Sequence, residues 1–140
     1  MKVVINTCWG GFGVTNEVRA LMAKKKGIEL IWKAREAYSF TPETDKVVTE
    51  EVAISLDTNL GYAEIAGKEE SPGNPKRFLP DWEIERDDKD LIEAIEEIGV
   101  EKASDSLSAL SIVEIPDDIN WGIHEYDGME SVEESHRSWS

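Results

Sequence analysis

Cys8 stands at the end of an apolar run, just ahead of Gly10, Gly11 and Gly13, a setting in which thiols can act as nucleophiles. A cysteine-phosphatase loop needs an arginine six residues on, and that position is Val14. A Cys–His pair would have to recruit His124 or His136. A free cysteine is otherwise a small, buried apolar residue, and that structural role is the expectation for Cys8. His124, Glu125, Asp127 and His136 crowd late in the chain, but their spacing matches no zinc pattern. No metal site and no cofactor are therefore expected. Thirty acids bring carboxylates together by number alone, so no acid–base pair is singled out. No catalytic residue is assigned, and a binding role is favoured over a small enzyme using Cys8 or a histidine.

The segment Asn6 to Thr15 carries the most information. Glycines permit close approach of a ligand or another backbone, and a following helix would aim free N–H groups at that space. Trp9 and Phe12 could stack on a planar group. Named phosphate motifs fail, because no Lys-Ser/Thr follows the glycines and Asn16 stands where the dinucleotide fingerprint wants Gly or Ala. The alternative is a tight turn whose aromatic residues pack inside. At the other end, His136, Arg137 and Trp139 could grip an anion in a guanidinium fork and stack on a ring. The candidate ligand-binding set is Asn6, Trp9, Gly10, Gly11, Phe12, Gly13, Thr15, His136, Arg137 and Trp139.

The elements that must position these residues read as follows. Residues 2–7 form a β-branched strand. A helix runs from about Val14 to Lys26, with Thr15 as N-cap and Gly27 past its end. Its apolar stripe is Val14, Val18, Leu21 and Met22. Residues 28–33 form a second strand, so the chain opens like a βαβ unit. Residues 47–56 could hold a strand, and residues 67–76 read as an exposed loop. Asp87 or Asp88 caps a second helix with the stripe Leu91, Ile92, Ile95 and Ile98, ended by Gly99. Strands follow at 109–115 and 119–126, with Asp127-Gly128 as a tight turn. The last stretch is either a returning strand or a short helix. The reading is an α+β (or α/β) single domain over 1–140, a mixed sheet with two main helices, and a loop-rich middle at about 34–80.

The 140 residues carry a net charge of −15. Residues 1–40 hold seven Lys/Arg against three Asp/Glu, and residues 81–140 hold four against nineteen. Such a balance argues against duplex nucleic acid as a partner, since phosphate neutralisation needs a basic face. It allows either a solvated acidic surface or an acidic patch that docks on a basic partner. No run approaches the roughly 18 apolar residues of a membrane span, and the start lacks a signal-peptide pattern. A single cysteine favours the reducing cytosol.

Several segments together resemble a family of small bacteriophage and prophage proteins. They are Val3–Gly13 (VVINTCWGGFG), Arg86–Gly99 (RDDKDLIEAIEEIG), Val113–Asp117, Trp121–Gly128 and His136–Trp139. The resemblance covers about the first 15 and last 55 residues. This chain has Thr7 where the family has a lysine. The resemblance implies a phage setting in a host cytosol and a counter-defence role; it implies no reaction and no catalytic residues. The expectation is a non-catalytic protein that sequesters a nucleotide-like or phosphorylated ligand of host immune signalling, in a homo-oligomer with a pocket shared between subunits. The rival reading is an acidic inhibitor of a host defence or nucleic-acid-binding protein.

Overall fold

The β-branched opening run forms β1 (Lys2–Asn6), with Val3 and Val4 fully buried. A computed structural model describes residues 1–35 and 45–134. The fold is α+β, as expected, and the chain gathers into two compact units. One comprises residues 1–13 and 85 onward, the other residues 14–84.

In the first unit β1 pairs antiparallel with β6 (Leu110–Glu114), Val4 opposite Ile112. Helix α3 (Lys89–Ile98) buries Leu91, Ile92, Ala94 and Ile95. Its Asp88 cap accepts from the backbone N–H groups of Asp90 and Leu91, at 2.8 and 3.2 Å. Gly99 ends it, and a short α4 (Val100–Ala103) follows. Strands β7 (Trp121–Tyr126) and β8 (Met129–Glu134) form a hairpin turning at Asp127-Gly128. The last stretch is therefore a strand through Glu134. His136, Arg137 and Trp139 lie outside the described residues.

In the second unit α1 (Asn16–Lys26) starts after Thr15 and ends at Gly27, which adopts the left-handed conformation with φ 68°. Val18 and Met22 are buried, as their spacing predicts, but so are Asn16 and Arg19. Strand β2 (Leu30–Ala34) pairs antiparallel with both β3 (Lys46–Val48) and β4 (Gly61–Ser71), and β4 pairs with β5 (Asn74–Arg77).

Three expectations need correction. Strands β1 and β2 belong to different sheets and each pairs antiparallel, so there is neither a βαβ unit nor a mixed sheet among the described residues. The reason is visible in β2: Ile31 is exposed and Trp32 buried, the alternation of a sheet with one solvated face, where a parallel strand would be apolar throughout. Residues 67–76 are the arms of the β4–β5 hairpin rather than a loop. Their charged, Gly- and Pro-bearing sequence reflects strands exposed to solvent on both faces, with Pro75 tolerated on an edge strand. Residues 50–55 are helix α2 (Glu50–Ser55), not strand. Thr49 stops β3 and caps α2, its Oγ1 accepting from the Val52 N–H at 3.3 Å. No helix among the described residues is long and apolar enough to cross a membrane.

Candidate functional site

The first unit uses much of the predicted loop to hold itself together. Asn6 is fully buried. Its Nδ2 donates to the carbonyls of Cys8 (2.6 Å) and Gly128 (2.7 Å). Its Oδ1 accepts from the N–H groups of Ala109 (2.8 Å) and Cys8 (3.3 Å). That fills the two donors and two acceptor positions of an amide side chain. A Cβ at Gly10 would lie 1.9 Å from the Leu107 carbonyl oxygen, and one at Gly13 would lie 2.0 Å from Asp105 Oδ2. Gly11 takes φ 89°, which only glycine adopts freely.

Phe12 lies beneath Arg86, whose guanidinium carbon is 3.5 Å from the ring centroid. Arg86 Nη1 and Nη2 donate to Glu130 Oε1 and Oε2, a bidentate pair with 2.8 Å on the second arm. Glu130 Oε1 also accepts from the Asn6 backbone N–H at 2.8 Å. Trp9 projects outward, 64% exposed. Cys8 is half-buried and His124 exposed. Thr15 falls in the second unit, at the N-cap of α1. Among the described residues no cluster of three or more His, Cys, Asp or Glu is placed to hold a metal ion.

A cavity of about 280 Å³ lies within the second unit, lined in part by Asn16, Arg19, Arg35, Tyr62, Arg77 and Trp82. Its chemistry comes from strand register. Lys33 faces Tyr62 across β2–β4, and the ladder continues through the Arg35 N–H, which donates to the Leu60 carbonyl at 2.7 Å. Arg77 faces Glu64 across β4–β5. Alternation then puts Arg35, Tyr62 and Arg77 on one side of the sheet. The Arg77 and Arg35 guanidinium carbons lie 4.2 and 5.3 Å from the Tyr62 ring centroid.

Burial, and next the charge of Arg35, lower the Arg77 guanidinium pKa from its ordinary value. These outweigh the opposing pull of Tyr62, Asp45 and Glu64. Those acids are already engaged: Asp45 Oδ2 accepts from the Tyr62 hydroxyl, and Glu64 pairs with Lys33 Nζ at 2.6 Å. Burial and the bond to Asp45 raise the Tyr62 phenol well above its usual range. Among the described residues the lining holds three arginines and one carboxylate, Asp81, an excess of two positive charges in a chain of −15.

Arg19 builds the far wall. Its side chain is buried, and it donates from Nε to the Leu79 carbonyl (2.9 Å), from Nη1 to the Val14 carbonyl (2.7 Å) and from Nη2 to Asp81. These bonds hold Leu79 at φ 41°, a conformation that costs a non-glycine residue about 1–2 kcal/mol. The same bonds fix the 3₁₀ turn Asp81–Glu83 and with it Trp82, 80% exposed at the cavity. Asn16 Nδ2 donates to the Gly61 and Ala53 carbonyls at 3.0 and 3.3 Å, closing the end of α1 onto β4 and α2.

None of these cavity residues was singled out from the sequence. Arg35 and Arg77 are remote in the chain and become neighbours only through the β2–β4–β5 register. Asn16 and Arg19 stand off the Val14, Val18, Leu21 and Met22 stripe of α1, on the side shared with the buried Ala20 and Ala23, so hydropathy gave no sign of their burial, which demands partners.

No protein family, curated protein or solved structure matches the chain.

Proposed function

We propose that the chain is a binding protein for a small phosphate-bearing ligand, seated in the cavity of the second unit. The observation that carries this reading is the convergence of Arg35 and Arg77 on Tyr62 beside that cavity. Two cations brought together, one of them with its charged form disfavoured by burial and by the other, are relieved by an anion. A guanidinium fork suits phosphate oxygens in particular. Trp82 at the rim supplies a ring face against which a base or similar planar group can stack. Sequestration of a host signalling nucleotide would be the biological consequence, an extension that rests on the phage resemblance alone.

Calorimetric titration of the full chain with pyrophosphate, ATP and uncharged adenosine tests the proposal. Pyrophosphate and ATP should bind, and adenosine should not. Arg77→Gln should weaken ATP binding by roughly 10- to 150-fold, equivalent to about 1.5–3 kcal/mol for a hydrogen bond to a charged group. Absence of binding by both phosphate ligands at millimolar concentration would overturn it. So would an Arg77→Gln variant that folds and binds as the parent does.

A further inference from the structure

The glycine-rich loop does something further, independent of the cavity: its packed backbone carries an indole that stands in the open. Trp9 is flanked by Gly10, packed on the Leu107 carbonyl, and its own carbonyl lies 2.4 Å from where a Cβ on Gly128 would be. Gly128 is in turn held by Asn6 Nδ2 on its carbonyl and by Glu125 Oε1 on its N–H, at 2.7 Å each. Trp9 and Tyr126 meet edge to face, ring centroids 6.4 Å apart. Tyr126 faces Met129 across the hairpin, and Leu107 adjoins through Gly10. Trp9, Leu107, Tyr126 and Met129 are 64%, 64%, 69% and 37% exposed. A soluble surface seldom groups such residues without a partner. Tryptophan and tyrosine on a fixed backbone are the residues that anchor interfaces at low entropic cost.

Charge selects the partner. The described part of this unit has seventeen Asp/Glu against four Lys/Arg. Lys2, Arg86 and Lys89 are each paired with a carboxylate of the same unit, and Lys102 has an interaction of its own. Glu125 and Asp127 flank Tyr126 in the chain, and Glu133 lies on the same hairpin face as Tyr126. Repulsion between such surfaces disfavours a second copy of this chain as the occupant. We propose that Trp9, Leu107, Tyr126 and Met129 form a docking surface for a basic protein segment, one that presents Lys or Arg around an apolar anchor. The aromatic residues supply the buried centre and the carboxylates the complementary rim.

The test pans a random peptide display library against the full chain and against the Trp9→Ala/Tyr126→Ala variant. Both side chains are exposed, so the variant should keep the parent's melting temperature. The parent should enrich peptides of net positive charge with an aromatic or leucine anchor. The variant should bind them at least tenfold more weakly. Raising salt from about 0.05 to 0.5 M should weaken the parent's binding several-fold. Enrichment of neutral or acidic peptides, no enrichment, or equal binding by parent and variant would each overturn the proposal. A dimer in gel filtration that dissociates on Trp9→Ala would do the same by assigning the patch to a second copy.

Discussion

Glu130→Ala should be among the most damaging substitutions in the chain. Its side chain is 7% exposed and that of Arg86 18%. Truncation removes both arms of the bidentate pair and the acceptor of the Asn6 N–H. What remains is a partly buried guanidinium whose other partners are the Phe12 ring and a long contact, 3.4 Å, to the Val4 carbonyl. Removing one partner of a buried ion pair costs about 3–5 kcal/mol, a large share of the roughly 5–15 kcal/mol that holds a domain folded. The pair itself is a different matter, because desolvation offsets much of its attraction. Arg86→Met with Glu130→Gln keeps the shape and leaves an amide oxygen for the Asn6 N–H. That double variant should therefore be more stable than Glu130→Ala. Urea denaturation read by fluorescence and circular dichroism gives midpoint and slope, and coincidence of the two signals checks for a single transition. A Glu130→Ala loss below about 1 kcal/mol, or a double variant as unstable as the sum of its two single changes, would refute the reasoning.

Gly11→Ala should cost about 1–2 kcal/mol, from the left-handed backbone alone, since its Cβ direction is open. Gly10→Ala should cost more, because its methyl would overlap the Leu107 backbone; melting temperatures of the two variants establish the order. Tyr62 should titrate later than an ordinary tyrosine, seen as a phenolate absorbance component missing from Tyr62→Phe. Its pKa is raised in the folded state, so folding favours the neutral phenol. That stabilisation is complete below the unfolded pKa of about 10 and is lost as pH rises above it. Stability of Tyr62→Phe should therefore fall less steeply on the alkaline side.

Elements with strong local signals were legible in the sequence. Helix α3 combines an acidic cap, a clean apolar stripe and a terminal glycine, and it begins and ends where those signals stand. Gly27 and Asp127-Gly128 likewise act through their own backbone, with φ 68° at Gly27 and 51° and 89° at the turn pair. The misread segments are those whose local composition points away from their tertiary state. In residues 47–56 the β-branched Val47, Val48, Thr49 and Val52 suggest a strand, yet the second half is helix, capped by Thr49 Oγ1. The β4–β5 arms lack an apolar face, so only the backbone ladder identifies them as strands.

The candidate site was less legible, for a reason that the two glycine-bearing loops illustrate. A glycine-rich turn after a strand can cradle a ligand or admit another part of the same chain, and the residue types are identical in the two cases. What separates them is whatever fills the space where a side chain would be. At Gly10, Gly13 and Gly128 that space holds protein atoms at 1.9, 2.0 and 2.4 Å, and Asn6 spends its hydrogen bonds within the chain. Arg35 and Arg77 show the converse. Neither sits in a motif, and their proximity arises from two antiparallel registers, Lys33 to Tyr62 and Glu64 to Arg77. In a chain with twice as many acids as bases, two guanidiniums meet on one ring while, among the described residues, Asp45 bonds the Tyr62 hydroxyl and Glu64 bonds Lys33, which concentrates positive charge where the summed charge predicts none. Local pairing, rather than net charge, therefore sets which ions such a surface attracts at short range, because screening confines the summed field to about 8–10 Å.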